Sequence, residues 1–571
     1  MNRKGDTCKG KVMVLGNDNR SFLSVCRSLG RKSICVHVGW CDKDLPALKS
    51  KYIHKYQHIP LYSINNNHWK NVFISILKKE KYDLVIPCND QSIIPLQKYK
   101  KEFETICKLY LLNDDCYQIS NDKYSMQQLV KQLRINVPKE IIINKSTSID
   151  YIISNLSLPV VIKPRHSFTI DKLKQKTLVQ KFFSKKDFKD YLKTVDTTEI
   201  LIAQQNFIGK GAGIEVLADE GEILFAFEHI RIHEPLTGGG SSYRKSVPIH
   251  SELLEASKKI MKALNYTGVA MLEFKINLKT GQWIFIELNA RFWGSLPLAV
   301  TAGADFPYFL FLLLIHQQKK FQPEYSKGIY CRNISSDLKW LFKNFKTDRT
   351  IPALETRPLP LVFSEIFNIL LLKERYDTFS IDDIKPGIIE IRNIISKLHI
   401  KASESINSKK LFPLFQKRKF YHLIKTAQSI VFICKGNINR SPFAHYCLKS
   451  ILSDTIKIQS CGYYPEEGRH CPENAIKVAQ LFDLDLTQHR SKIMTQAVIT
   501  SADILFTFDE ENYRTVIKKF PDAKLKIYRI TYLLENDPLI IQDPDGMDIR
   551  YYYNTYYQIK ELIDSFVRIR C

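Results

Sequence analysis

The residues best equipped for chemistry lie in V-F-I-C-K-G-N-I-N-R-S-P, residues 431–442. An apolar run ends in a thiol, a glycine-bearing loop follows, and Cys434 and Arg440 stand at C-x5-R spacing. A helix is expected from about Ser441, with Pro442 in its first turn, where proline is favoured. Strand, loop and helix in that order turn loop amides inward as a nest, and the helix N-terminus adds positive potential. Such a cradle binds a phosphate dianion and lowers a thiol pKa, so Cys434 is expected to act as a thiolate. Arg440 offers a fork of donors to two phosphoryl oxygens. Ser441 can hydrogen-bond the thiolate and help it leave, and Asn437 can hold the loop in shape. In-line attack of sulfur on phosphorus needs an acid for the leaving oxygen, and Asp543 in I-Q-D-P-D-G (541–546) is the candidate. Taken singly, these are a buried cysteine, a surface arginine and a turn-forming aspartate.

A second constellation lies upstream, in M-L-E-F-K (271–275) and I-F-I-E-L-N-A-R-F-W-G-S (284–295). Glu273 and Glu287 sit on successive strands whose alternation can bring both to one face, and Asn289 shares the face of Glu287. Two carboxylates and an amide oxygen make a hard-oxygen site suited to Mg²⁺ carrying nucleotide phosphates. Arg291 can bind a transferred phosphoryl group or a substrate carboxylate. The plain alternative is a pair of buried or rim carboxylates matched by lysines. Lys163 ends L-P-V-V-I-K-P, and Lys123 lies in N-D-K before a helix; either alone would be a surface lysine. The loop T-G-G-G-S-S (237–242) is flexible enough to close over phosphates.

The elements that must position these groups are legible in outline. Apolar runs at 11–16, 33–38 and 83–88, with a loop and helix after the first, open the chain as a β-α-β unit. Short alternating strands between 200 and 290 suggest a mostly antiparallel sheet with helices packed on it. T-R-P-L-P-L (356–361) and K-A-S-E-S-I-N-S-K-K (401–410) read as junctions, with the main linker near 400–425. Beyond it, strands at 429–434, 456–462, 502–508 and 524–530 alternate with helices, the pattern of a parallel sheet. The tyrosines of Y-Y-Y-N-T-Y-Y (551–557) read as packing residues of a terminal helix, ahead of modification sites. The fold class is therefore α/β and multidomain, in four parts: 1–110, 111–330, a helical extension and linker at 331–425, and 426–571.

With 571 residues the chain exceeds one hydrophobic core. Its net charge of +25 is carried mostly by dispersed lysines with no aromatic–basic motif that reads bases. That favours phosphate-bearing ligands and a solvated basic surface over nucleic acid. The 13 cysteines show no C-x-x-C pair and the N-terminus has no apolar core for a signal peptide, so reduced thiols in a cytoplasmic protein are expected. The apolar run 306–315 is too short to span a membrane, and 361–372 carries Glu365 midway; both read as buried helices, and no transmembrane segment is expected.

C-K-G-N-I-N-R-S-P resembles the signature of the low-molecular-weight protein tyrosine phosphatases. The likeness runs over about 428–571 and takes in S-C-G (460–462), H-R-S (489–491), A-D-I-L-F-T-F-D-E-E-N (502–512) and D-P (543–544). It implies Cys434 as nucleophile, Arg440 as phosphate binder and Asp543 as general acid, with no cofactor. Three positions depart from the family pattern. Asn439 stands where a second cysteine often precedes the arginine, so a protective disulfide is not expected. Asp545 and Gly546 follow D-P, where the family usually has aromatics that grip a phenyl ring. Ile438 stands where the arginine-phosphate phosphatases tend to have threonine, which favours phosphotyrosine.

The upstream motifs resemble the ATP-grasp superfamily, especially its carboxylate–amine ligase branch, over about 10–330 and at most to 395. That likeness implies ATP-dependent chemistry: a carboxylate becomes an acyl phosphate, an amine attacks it, and ADP and phosphate leave. Lys123 and Lys163 would touch nucleotide or phosphate, Arg291 would share that site, and Gln205 would lie by the adenine, where the family normally has Glu. Glu273, Glu287 and Asn289 would hold Mg²⁺ or Mn²⁺. The expectation is a bifunctional cytosolic enzyme acting on a phosphorylated protein or small molecule and on ATP, a small carboxylate and an amine. Two other readings are a phosphatase regulated by a non-catalytic nucleotide-binding region, and a basic scaffold holding phosphorylated or nucleic-acid partners.

Overall fold

The computed structural model describes residues 8–64, 66–144, 147–173, 179–194, 200–235, 239–347, 356–396, 414–452, 456–533 and 541–570. It divides into two compact units, Met1–Asn393 and Ile394–Cys571.

The first unit holds three sheets. Strands Lys11–Leu15, Cys35–Gly39, Ile53–Tyr56 and Leu84–Pro87 form a parallel sheet. Its two central strands, Cys35–Gly39 and Lys11–Leu15, are almost wholly buried, as expected when helices cover both faces. A small antiparallel sheet follows, in the order Glu140–Ile143, Leu201–Gln205, Val160–Pro164, Gln180–Phe182. The third sheet has seven strands and is antiparallel except at its last pair. Its order is Trp283–Asn289, Gly268–Ile276, Lys210–Asp219, Glu222–His233, Tyr243–Val247, Tyr330–Arg332, Glu374–Tyr376. The second unit is a parallel sheet in the order Lys457–Gly462, Ser429–Cys434, Ile504–Thr507, Ile527–Arg529.

Three segments depart from the sequence-based outline. Residues expected to form a helical extension contribute strands Tyr330–Arg332 and Glu374–Tyr376 to the large sheet. Helix Leu414–Thr426, expected within the linker, buries Phe420 and Ile424 in the core of the second unit; residues 397–413 lie outside the described residues. The run 306–315 is a buried helix, but 361–372 is not. There Phe363, Phe367, Leu370 and Leu372 are exposed, and the short helices turn Glu365 inward instead. Glu365 meets His233 at 2.9 Å and Arg332 at 3.1 Å, so a buried ion network sets which side faces in. Among the described residues no helix is long and apolar enough to cross a membrane.

Candidate active sites

In the second unit the chain passes from strand Ser429–Cys434 to strand Lys457–Gly462 on one side and later to Ile504–Thr507 on the other. Ligands of open α/β sheets bind where the order reverses in this way, beyond the carboxyl ends of the strands. Cys434 ends the fully buried central strand at that point, and helix Arg440–Ile451 leaves the loop.

The loop is held by side chains from three directions. Asn437 has φ +51°, a left-handed value that asparagine adopts more readily than most residues. Its Nδ2 donates to Ser441 Oγ at 2.9 Å, its Oδ1 accepts the Lys492 N–H at 2.8 Å, and its carbonyl lies 2.9 Å from His489 Nε2. Arg469 Nη2 donates to the Gly436 carbonyl at 2.5 Å, with its guanidinium 4.2 Å from the centre of the Tyr464 ring. Gly462 leaves room underneath: a Cβ there would lie 2.7 Å from the Lys435 carbonyl oxygen and 2.9 Å from the Asn437 nitrogen.

Cys434 Sγ is 3.0 Å from Ser441 Oγ and accepts the Asn437 N–H at 3.3 Å. The sulfur thus has one amide donor and one hydroxyl within hydrogen-bond reach. Arg440 is 2 % exposed; its Nη1 donates to Asp509 at 2.6 Å and to the Ile541 carbonyl at 2.9 Å, and its Nη2 to Asp543 at 2.6 Å. Burial works against its charge, but Asp543, Asp509 and Cys434 outweigh burial and raise its pKa above the ordinary arginine value. The neighbouring thiols Cys461 and Cys471 are pushed up to about 12, chiefly by burial, and stay protonated. The structure thus gathers Cys434, Asn437, Arg440, Ser441 and Asp543 around one cleft of about 570 Å³.

Several contributors escaped the sequence reading. Asp509 lies inside the quoted A-D-I-L-F-T-F-D-E-E-N run, where alternation alone gives it no role. Tyr463 and Tyr464 line the same cleft as the D-P loop, on the segment just after S-C-G. They provide aromatic surface that Asp545 and Gly546 do not. Asn439 does more than replace a cysteine: its Nδ2 donates to Asp545 at 3.2 Å and to Asp543 at 3.5 Å. The terminal helix Ile549–Arg570 buries Tyr552 and Tyr556 and leaves Tyr551, Tyr553 and Tyr557 partly exposed. Tyr556 stacks on Phe443 at 3.9 Å and its hydroxyl donates to the Asn439 carbonyl at 3.3 Å, tying that helix to the loop.

In the first unit, Glu273 pairs directly with Glu287, and Met271 with Asn289, so the three polar residues share a face of the large sheet. Asn289 Nδ2 donates to Glu273 at 3.1 Å, and Arg231 Nη2 meets the other Glu273 oxygen at 2.6 Å. Lys163 is buried; burial lowers its pKa against the pull of Glu287, Glu273 and Glu140, which places it beside the carboxylates. Two adjacent carboxylates with an amide suit Mg²⁺, which takes one or two carboxylates and fills its shell with phosphate and water. Among the described residues no group of three or more His, Cys, Asp or Glu is arranged to hold a metal alone.

Lys123 Nζ donates to Ser167 Oγ at 3.0 Å, and Asp122, which caps its helix, pairs with Arg165 at 2.6 Å. Arg291 is fixed by Asp90 at 2.9 Å. Gln204 and Gln205 stand on opposite faces of their strand. The register sets Gln204 opposite Val161 and Ile202 opposite Lys163, so Gln204 shares the face of Lys163 and Gln205 points away, exposed. Gln204 is buried and its Nε2 donates to Glu140 at 3.2 Å. In the glycine loop, 236–238 lie outside the described residues; Gly239 and Gly240 are exposed, Ser241 and Ser242 buried.

Residues 429–569 match the model of the low molecular weight phosphotyrosine protein phosphatase family, and residues 197–336 match that of ATP-grasp in the biosynthetic pathway with Ter operon. The chain therefore carries a low-molecular-weight phosphatase domain and an ATP-grasp domain. Over 149 residues it is 26% identical to the probable low molecular weight protein-tyrosine-phosphatase EpsP of Ralstonia solanacearum, covering 26% of this chain and 98% of that protein. Over 135 residues it is 26% identical to the protein-arginine-phosphatase of Geobacillus stearothermophilus, covering 24% of this chain and 90% of that protein. A solved structure, N5-carboxyaminoimidazole synthetase from Staphylococcus aureus complexed with ADP, aligns at 17% identity and a TM-score of 0.45, over 59% of this chain and 86% of that chain.

Proposed function

We propose that the C-terminal domain hydrolyses phosphotyrosine through a cysteinyl-phosphate, and that the ATP-grasp domain couples ATP to the joining of a carboxylate and an amine. The observation that carries the first part is one cleft holding Cys434 beside the Asn437 amide and the Ser441 hydroxyl, with Arg440 spanning Asp509 and Asp543. Sulfur attacks phosphorus and the phosphorus–oxygen bond to the substrate breaks, Asp543 giving its proton to the leaving oxygen. Arg440 binds the equatorial oxygens. In the second step Asp543 takes a proton from water as the water attacks phosphorus, and Ser441 stabilises the departing thiolate. Tyr463, Tyr464 and Ile438 line the cleft and give an aryl ring apolar surface. Parallel assays on phosphotyrosine and phosphoarginine peptides test this; faster turnover of the arginine peptide would reverse the choice.

For the ATP-grasp domain, Glu273, Glu287 and Asn289 would hold Mg²⁺ or Mn²⁺, which screens phosphate charge. Lys163 and Lys123 would contact the phosphates, and Gln204 would lie on the adenine side in place of Gln205. Arg291, fixed by Asp90, would meet the transferred phosphoryl group or the substrate carboxylate. ADP release from the full chain with small carboxylates and amines, lost in Glu273→Gln, is the test. All cysteines described are free thiols, which supports a cytoplasmic setting.

A further inference from the structure

On the same face of the large sheet, on the two strands next beyond that of Glu273, a Glu–His pair is buried with no role in the reading above. Glu273 pairs with Gly213, and Gly213 pairs with His229, so the three stand in one row. Glu215 lies in the next row, opposite Met271, whose other neighbour is Asn289. Glu215 is 0 % and His229 1 % exposed. His229 Nδ1 is 3.0 Å from Glu215 Oε1, which accepts the Ser295 hydroxyl at 2.8 Å. Ser295 closes the R-F-W-G-S run that begins at Arg291.

Two features point this pair at a ligand. Glu215 Oε2 and both ring nitrogens of His229 have no hydrogen-bond partner among the described residues, the 3.0 Å approach of Nδ1 to Glu215 being a charge contact without hydrogen-bond geometry. Unpaired buried polar atoms are costly, so they are uncommon without a reason. The imidazole also lies over Gly213, where an added Cβ would collide with the ring. Glycine lets the ring extend across its own strand towards Glu273. Arg231, on the same face two residues along, makes that crossing and reaches Glu273.

We propose that Glu215 and His229 form the acceptor subsite of the ligase, taking an ammonium group and removing its proton as it attacks the acyl phosphate; this rests on the ligase reading. A neutral imidazole keeps one acceptor nitrogen, and both nitrogens of His229 are open to a ligand. One ammonium proton passes to the acceptor nitrogen of His229, the nitrogen lone pair forms the new bond to the acyl carbon, and the carbon–oxygen bond breaks with its electron pair leaving on phosphate. A second nitrogen proton goes to the departing phosphate. His229 is then a catalytic base and Glu215 a positioning residue.

The test gives the full chain MgATP and a pool of the twenty amino acids, with or without hydroxylamine. Hydroxylamine is uncharged at neutral pH and traps an acyl phosphate as hydroxamate without needing a base. No hydroxamate from the unaltered chain would overturn the ligase reading itself. Given hydroxamate, His229→Gln is expected to raise the hydroxamate-to-amide ratio about 100-fold or more, the usual scale of general-base catalysis. Glu215→Gln, which retains an acceptor for Ser295, is expected to shift the ratio the same way by less, and carries the test if the histidine variant fails to fold. An unchanged ratio in both would overturn the proposal. As a readout apart from turnover, the amino-acid pool without ATP is expected to shift the His229 imidazole resonance of ¹⁵N-histidine-labelled chain, and no shift would overturn it.

Discussion

Arg440 Nη2 and Asp543 Oδ2 stand 2.6 Å apart, so the group that would bind the phosphate also holds the group that would protonate the leaving oxygen. Asp509 grips the other terminal nitrogen at 2.6 Å. A dianion entering the cleft competes with Asp543 for the guanidinium, while Asp509 keeps it aimed. Asp543→Asn is expected to lower kcat by about 10²–10⁴-fold for phenyl phosphate and far less for a nitrophenyl ester, whose leaving group needs no proton. Asp509→Asn is expected to act mainly on KM. Rates across a series of leaving groups separate the two; an equal loss for all of them in Asp543→Asn would deny it the acid role.

Gly462 gives the loop its floor. An alanine Cβ would meet backbone atoms of Lys435 and Asn437 inside 3.0 Å, and neither can move without opening the cradle. Gly462→Ala is expected to cost about 1–3 kcal/mol in stability, by analogy with overpacked cores. Activity is expected to fall at least about tenfold, since tenfold needs only ~1.4 kcal/mol at the transition state. Thermal melts beside aryl-phosphate kinetics check this, and full activity would show that the loop has slack.

The Cys434–Arg440 loop was legible because strand, loop, helix and arginine are contiguous in the chain. Asp509, Tyr463 and Tyr464 were not, because they reach the cleft by tertiary packing from separate segments. The choice between Gln204 and Gln205 is hidden for a related reason: a one-residue offset reverses the face of a strand, and only pairing with Lys163's strand sets which glutamine shares its face. The exposed run 361–372 was read by hydropathy, whereas the buried partners of Glu365 decide its orientation. The seven-stranded sheet collects strands from 210 to 376, and pairing over such separations leaves little local trace.

In the ATP-grasp domain, Glu287→Gln in the full chain is expected to abolish ADP release, with Glu273→Gln acting alike and aryl-phosphate hydrolysis unaffected in both. Parallel ADP and phosphate-ester assays check it. A variant that loses phosphatase activity and never released ADP as the parent chain would instead support the regulatory reading.

His445 links pH to the stability of the phosphatase domain. Burial, then His489 and nearby lysines, pushes its pKa down to about 4 from an ordinary 6.5. Burial lowers His489 too. Between pH 6.5 and about 4 the unfolded chain takes up a proton that the folded one refuses, so stability falls as pH falls through that window. The loss from His445 is on the order of 3 kcal/mol at ~1.36 kcal/mol per pH unit. Denaturant titrations across the window are expected to show a shallower decline in His445→Gln; an identical slope would remove His445 from the account.

The central claim is that Cys434 is a nucleophile in a phosphate cradle. Hydrolysis of an aryl phosphate by the purified full chain, beside Cys434→Ser, tests it most directly. The account predicts turnover by the parent chain, none measurable in the variant, and the same thermal melt in both. Full activity in Cys434→Ser would contradict it.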